Sequence, residues 1–335
     1  MITSAIQTLL AGDDIDRETA HGVMNQIMSG EATDAQIGGF LIALRAKGES
    51  VDEIAGCAQV MRDKATRITG GTPPLLDTCG TGGDDSGTFN ISTTVAFVAA
   101  AAGITVAKHG NRAMSSQCGS ADVLAELGVN VEASPEQVGR CLDEAGIGFL
   151  FAPALHGAMK HAIGPRKELG TRTVFNILGP LTNPAGAKRQ LIGVFAADLT
   201  DKMAHVLATL GSEQAFVVHG EDGLDEITLT GSTRVAELKN GEVNSYTVEP
   251  GQFGMDTVAS DALHGGDAGH NADILRRILD GEMGAPTDVV VLNAAAAITA
   301  GGLSETMEDG VAIARESIAS GKAAGVLDKL VEISN

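Results

Sequence analysis

A chain of 335 residues with a formal charge of −20, from 23 Lys and Arg against 43 Asp and Glu, repels a nucleic-acid backbone and excludes broad electrostatic capture of it. Aromatic residues make up only 3% and Trp is absent, so stacking platforms for bases are scarce and Ala, Val, Leu and Ile must fill the core. The length suits about two domains, and any anionic ligand of so acidic a chain has to be held locally, by a few cations, backbone amides and a divalent metal.

The first seventy residues read as helices separated by polar stops. Thr33-Asp34-Ala35-Gln36 and Ser50-Val51-Asp52-Glu53 fit the capping box, in which a hydroxyl and an amide or carboxylate each satisfy an exposed N–H. Gly30 and Gly48 suit helix stops, and Ile37, Phe40, Leu41 and Leu44 recur at helical spacing. Such a bundle has too little core to stand alone, so it is expected to pack on the rest of the chain or on a second copy. Gly70 to Pro74 reads as a linker.

Beyond it, short apolar runs alternate with helices. Residues 75–76, 104–106, 129–131, 149–151, 191–195 and 216–218 are predicted strands, and 95–102 and 121–127 predicted helices. Ser134 and Pro135 open a further helix as N-cap and first residue, and Gly146 closes it. The alternation predicts an α/β fold with a mostly parallel sheet, whose ligands sit at the carboxyl ends of the strands. Asp225 to Thr230 leads into a turn-rich stretch to Tyr246 that reads as short antiparallel strands, and helices return over 272–279, 293–299 and 310–319.

Four cysteines, at 57, 79, 118 and 141, show neither a Cys-x-x-Cys pair nor zinc spacing, which suits free thiols in a reducing compartment. Met1 to Ala5 lacks a basic start, and the apolar stretch 95–107 is broken by Gly103 and too short to span a bilayer. A cytoplasmic protein is expected.

The chemistry concentrates between 77 and 122. Gly80, Gly82 and Gly83 follow a predicted strand, where glycines let backbone N–H groups approach an anion. Asn90, Ile91, Ser92 and Thr93 then start an alanine-rich helix, whose N-terminus favours anions. Lys108, His109 and Arg112 add cations and an imidazole, so the ensemble reads as a polyphosphate site. The loop alone is as readily a structural turn: Asp85 occupies the place of a third dinucleotide-fingerprint glycine, and no Gly-Lys-Ser/Thr follows.

Other positions stay open between two readings. Asp225 and Glu226 are either a solvated turn or, with the Ser92 hydroxyl, hard oxygen ligands for Mg²⁺. Arg166 either pairs with Glu168 at the surface or serves as a helix-terminal charge, or it offers its planar fork to a ligand carboxylate. His156 lines a pocket or caps a helix, and Cys79, with no base in sight, reads as a small packing residue.

Asp77 to Asp84, Asn90 to Thr94, Lys108 to Ser116, Gly119 to Asp122, Arg166 to Gly170, Thr171 to Pro184 and Leu224 to Ile227 together resemble the anthranilate phosphoribosyltransferases of tryptophan biosynthesis. The most specific runs are Lys108-His109-Gly110-Asn111-Arg112 and Phe175-Asn176-Ile177-Leu178-Gly179-Pro180-Leu181-Thr182-Asn183-Pro184. The resemblance implies a small helical domain, 1–70 with an inserted segment near 165–185, hinged to a large α/β domain of 74–164 and 186–335. It implies a homodimer through the helical domain and a reaction joining the ribose of phosphoribosyl pyrophosphate to the amine of anthranilate, with two Mg²⁺ per site.

Carried over, Gly80, Gly83, Asp84, Thr88, Asn90, Ile91, Ser92, Thr93, Lys108, His109, Gly110, Asn111, Arg112, Ala113, Met114, Ser115, Ser116 and Ser120 would hold phosphoribosyl pyrophosphate. Ser92, Asp225 and Glu226 would serve the metals, and Gly80, Asn111 and Arg166 would contact anthranilate, with Lys108, Asn111 and Arg166 catalytic. Where the family commonly has His-Pro, this chain has His156-Gly157, which relaxes the backbone beside the expected anthranilate channel. Two competitors are disfavoured. A pyrimidine nucleoside phosphorylase would carry a Lys-Ser-Gly-Arg segment, and a nucleic-acid-binding relative would carry a basic surface; this chain has neither.

Overall fold

The computed structural model describes residues 1–113 and 117–335. Four helices open the chain: α1 (Ile2–Leu10), α2 (Arg17–Met28), α3 (Asp34–Lys47) and α4 (Val51–Lys64). Their starts are local chemistry. The Asp16 carboxylate accepts the Thr19 N–H, and Thr33 and Ser50 form the two expected capping boxes with Gln36 and Glu53.

Glu53 does more than cap. Fully buried, it also accepts the Ile15 N–H at 3.1 Å and pairs with Lys47 Nζ at 2.9 Å, tying the α1–α2 connection to the start of α4. Glu53→Ala should therefore cost about 3 kcal/mol, since it removes a cap and leaves a buried N–H and an ammonium short of partners. A denaturant midpoint equal to the parent's would refute this.

The chain continues through β1 (Leu76–Asp77), α5 (Ile91–Ala101), β2 (Val106–Gly110), α6 (Ser120–Glu126), α7 (Pro135–Glu144), β3 (Ile147–Phe151) and α8 (Ala152–Leu155). Then come α9 (Lys160–Leu169), α10 (Phe175–Leu178), β4 (Arg189–Gly193), α11 (Leu199–Thr209), β5 (Gln214–Gly220), β6 (Thr233–Lys239) and β7 (Glu242–Val248). Four helices finish it: α12 (Ala268–Leu279), α13 (Ala285–Ala300), α14 (Met307–Ala319) and α15 (Lys322–Ser334).

One sheet holds all seven strands in the order β3-β2-β1-β4-β5-β6-β7, parallel from β3 to β5 and antiparallel from β5 to β7. The chain leaves β1 toward β2 and β3 and returns to β4 on the other side of β1, so the crevice at the carboxyl ends of β1 and β4 is a switch point of the topology. Side chains alternate between two cores. Leu191, Phe216, Val218 and Val235 join the core of α5 and α13, whereas Ile192, Val217, Ala236 and Leu238 join that of α11 and the N-terminal helices.

That second core answers the shortage of apolar surface in the N-terminal bundle. Phe40, Leu41 and Leu44 share it with Val174, Phe175, Leu178 and Leu181 of the 160–183 segment and with Met203 and Leu207 of α11. One predicted strand is not formed: residues 129–131 lie in an irregular connection. The Val129 N–H goes to the Leu124 carbonyl and the Asn130 N–H to Ser334 Oγ, so the segment closes α6 against the C-terminal helix and never reaches a strand partner. Val129 and Val131 are buried there as core residues, which explains the alternating pattern. Among the described residues, no helix is long and apolar enough to cross a membrane.

Candidate active site

Asp77, the last residue of β1, lies buried under the glycine loop. Its Oδ1 accepts the His109 N–H at 3.1 Å and its Oδ2 accepts Asn183 Nδ2 at 2.7 Å, so one carboxylate fastens β2 and the 175–183 run to the start of the loop. Burial pushes this acid up to about 6 against those bonds. Lys108, only 3% exposed, turns under the same loop, where Nζ donates to the Thr78 carbonyl at 3.0 Å and to Thr78 Oγ1 at 3.3 Å. Burial lowers its pKa, while the neighbouring acids Asp77, Glu226 and Asp225 act in the opposite direction.

The loop itself is braced from two sides. The Thr81 N–H donates to the Gly193 carbonyl at the end of β4, and the Gly82 N–H donates to Asp225 Oδ2 at 2.9 Å. Gly82 and Gly83 take φ of +63° and +77°, left-handed values that a side chain would strain. Gly193 is needed for a different reason. A Cβ there would lie 1.4 Å from the Asp225 carbonyl oxygen, so only glycine lets the acidic turn pack against β4.

Asp84, Asp225 and Glu226 gather at that turn. Asp225 is driven up to about 7 by burial and then by the Asp84 carboxylate, and Glu226 rises well above its ordinary value by burial and then by Asp225. The Ser92 hydroxyl beside Glu226 acts against that rise. Crowded acids with a hydroxyl beside them are a hard oxygen donor set, and their mutual repulsion is what a divalent cation relieves, so these residues fit Mg²⁺. The solvated-turn reading of Asp225 and Glu226 is thus set aside, as Glu226 is only 8% exposed.

Among the described residues, the single set of three or more His, Cys, Asp and Glu groups whose ligand atoms all lie within 4.8 Å of one another is Asp77, Cys79 and His109. It is a poor metal site. Both Asp77 oxygens already accept hydrogen bonds, burial raises the Cys79 thiol above its ordinary value, and both His109 ring nitrogens are engaged. His109 Nδ1 faces the Gly179 carbonyl at 3.2 Å and must carry a proton there, which leaves Nε2 to accept from His156 Nε2 at 3.2 Å. Burial lowers both imidazoles, to about 3 and about 4, so the pair is neutral at pH 7. His156 is therefore a buried partner of His109 and not a surface cap.

The α5 N-terminus opens toward the loop. Ile91 N–H goes back to Phe89, but the Ser92 and Thr93 N–H groups find no backbone acceptor outside the helix among the described residues, and Thr93 Oγ1 is buried without a partner. Asn90 is held by Cys118 and Asn271. Thr88 bridges to His264, which places it at the same rim. Asn111 Oδ1 accepts the Arg112 N–H, and its backbone exchanges bonds with Ser120 Oγ. Arg112 is turned to Asp122 at 3.2 Å and Glu132 at 3.5 Å, so this cation is paired as the structure stands. Gly110 packs on Ser120 and Ala113 N–H is held by Asp122, while Met114, Ser115 and Ser116 lie outside the described residues.

Arg166, on α9, stacks its guanidinium 4.9 Å over the Phe175 ring. Among the described residues no carboxylate lies within salt-bridge distance of it, so the alternative of pairing with Glu168 is absent; Arg166 does sit in the last turn of α9, and its fork is free for a ligand. Sequence reasoning passed over Asn183, which clasps Asp77. It also passed over Arg172, whose guanidinium stacks 4.3 Å over Phe195 and donates to the Gly83 carbonyl, while Arg45 of α3 holds Thr171 and the Arg172 carbonyl. Both lie inside the motif run from 171 to 184, but nothing in their local spacing signals these partners.

Fold and site together define a class. The glycosyl transferase family's helical bundle domain matches residues 3–65 and the same family's a/b domain matches residues 72–324. An anthranilate phosphoribosyltransferase of Geotalea uraniireducens is 54% identical over the full length of both chains. The crystal structure of that enzyme from Thermus thermophilus superposes with a TM-score of 0.94 at 45% identity, covering 98% of this chain and 99% of the other. The enzyme of Saccharomyces cerevisiae in complex with PRPP and Mg superposes at 0.90 with 28% identity, covering 99% and 97%. The chain belongs to the anthranilate phosphoribosyltransferase family.

Proposed function

We propose that this chain transfers the 5-phosphoribosyl group of phosphoribosyl pyrophosphate to the amine of anthranilate, giving N-(5-phosphoribosyl)anthranilate and pyrophosphate in tryptophan biosynthesis. The observation that carries this reading is the convergence, at the switch point of the sheet, of an open helix N-terminus, a buried lysine and a crowded acidic turn. An anion rich in phosphate with its divalent counter-ions satisfies all three at once.

Breaking the bond from ribose C1 to pyrophosphate builds negative charge on the leaving group. Lys108, the Gly80 and Gly83 amides and the α5 N-terminus face that charge and stabilise it. Ser92, Asp84, Asp225 and Glu226 would hold two Mg²⁺, which would supply positive charge against the negative charge that develops on the leaving group. The aromatic amine is neutral at pH 7, so orientation matters more than deprotonation. Arg166 grips the anthranilate carboxylate bidentately, and Asn111 and Gly80 line its approach. The neutral His109–His156 pair walls the same side without adding a charge.

Arg166→Ala should raise KM for anthranilate at least tenfold with little change in KM for phosphoribosyl pyrophosphate, and Arg166→Lys should recover only part of it, because an ammonium cannot reproduce the fork. Unchanged constants for anthranilate would remove Arg166 from the acceptor site. The reaction itself is tested by loss of anthranilate fluorescence on mixing with phosphoribosyl pyrophosphate and Mg²⁺, in step with pyrophosphate release and abolished by a chelator. Binding of phosphoribosyl pyrophosphate without consumption of anthranilate would point to a different acceptor.

The same reading covers the assembly. Residues 1–70 with the 165–185 insertion form one unit and 74–164 with 186–335 the other, and a homodimer forms through the helical unit, which exposes Leu10 and Ile42. The chain acts in the cytoplasm, where its free cysteines stay reduced.

A further inference from the structure

Asn293 is fully buried in α13, a helix otherwise built of Val, Leu, Ala and Ile through this stretch. An amide in such surroundings is costly unless its groups are paired. Its Oδ1 accepts the Ile227 N–H at 2.8 Å, and its Nδ2 donates to the Ile227 carbonyl at 2.8 Å and to the Val289 carbonyl at 2.9 Å. The side chain thus bonds both backbone groups of one residue, as a neighbouring strand would. Ile227 has left the sheet after β5 and has no ladder of its own, so the amide replaces a strand at that point.

Ile227 directly follows Glu226. On the opposite side, the Asp225 carbonyl rests on Gly193, and ahead of the turn Asp222 accepts from Leu224 N–H and Thr228 Oγ1. The acidic turn is therefore gripped between β4 and α13, against the repulsion of Asp84, Asp225 and Glu226. We propose that Asn293 is a positioning residue that fixes the Asp225–Glu226 turn for divalent cations, acting through the Ile227 backbone. This rests on the reading of the acidic turn as the metal site given above.

The test is calorimetric titration of Mn²⁺ into the full-length protein with phosphoribosyl pyrophosphate and without anthranilate, so that no turnover contributes, against a blank lacking protein. Asn293→Asp keeps an acceptor for the Ile227 N–H but loses both donated bonds, and should weaken Mn²⁺ binding about tenfold. Glu226→Gln should weaken it at least as much. If Asn293 acts through Glu226, the double variant binds Mn²⁺ within twofold of Glu226→Gln alone, whereas independent effects would multiply.

The proposal is overturned if Asn293→Asp lowers the melting temperature but leaves Mn²⁺ affinity within twofold, or if the losses multiply. Asn293→Ser serves should the aspartate variant fail to fold; failure of both makes the residue a core element only and also overturns it. If Glu226→Gln leaves Mn²⁺ binding unchanged, the metal reading of the turn falls first, and that outcome is distinct from failure at Asn293 alone.

Discussion

Asp225→Asn and Glu226→Gln are each expected to lower kcat/KM for phosphoribosyl pyrophosphate by roughly 10²- to 10³-fold, and each to make the ligand-free protein more stable. The two effects share a cause. Burial, and after it the neighbouring acids, raise both carboxyls, Asp225 to about 7 from an ordinary 3.8. A group whose folded pKa lies above its unfolded value contributes stability that is fully present below the unfolded pKa and is lost as pH rises through the folded one.

The ligand-free parent should therefore lose stability between about pH 4 and 7 on account of Asp225, and Asp225→Asn should lack that part of the slope. Because Asp225 is only half-buried, the gain at pH 8 is set at about 1–2 kcal/mol, below the full linkage value. Asn can still accept the Gly82 N–H, so the loop keeps its anchor. Mg²⁺ with phosphoribosyl pyrophosphate should raise the melting temperature of the parent far more than that of the variants. Thermal melts across pH, with and without Mg²⁺, check this, and a variant less stable than the parent at pH 8 would contradict the crowding argument.

Lys108→Met should be comparably severe. Methionine matches the length of the lysine stem but removes the cation from beneath the glycine loop, so kcat should fall about 10²- to 10³-fold and KM for phosphoribosyl pyrophosphate should rise, with KM for anthranilate nearly unchanged. Stability falls as well. The Thr78 carbonyl loses its donor at 3.0 Å and the buried Asp77 and Glu226 lose a neighbouring positive charge, a loss of about 2–4 kcal/mol. Kinetics must be taken well below the melting temperature of the variant, so that unfolding does not pass for a catalytic effect. A kcat within threefold of the parent under those conditions would remove Lys108 from leaving-group stabilisation.

Much of the fold was legible because it is set locally. Thr33 with Gln36, Ser50 with Glu53, and Ser134 with Pro135 begin helices through contacts spanning three residues or fewer, so adjacent letters carry the information. The parallel strands were legible as apolar runs of the right length between helices. Residues 129–131 misled because burial against α6 and α15 gives the same alternation as a strand, and periodicity alone does not distinguish them.

The site divides along the same line. Composition and spacing determined that anions must be met locally, that glycines and a helix start follow β1, and that the Gly80 and Lys108 segments stand where ligands of a parallel sheet sit, while Asp225 and Glu226 stayed open between a solvated turn and metal ligands. The tertiary structure decided which groups are free and which are held. Among the described residues Arg166 has no carboxylate partner although Glu168 is two residues away, and Arg112 is paired with Asp122 although its motif presents it as a phosphate ligand. The clasps that shape the site join Asn183 to Asp77 across 106 positions, Arg172 to Gly83 across 89 and Asn293 to Ile227 across 66. Helix starts depend on neighbours along the chain and can be read from it, whereas a buried polar group takes whichever partner the packed sheet and helices bring within about 3 Å, and that is fixed only when the whole core closes.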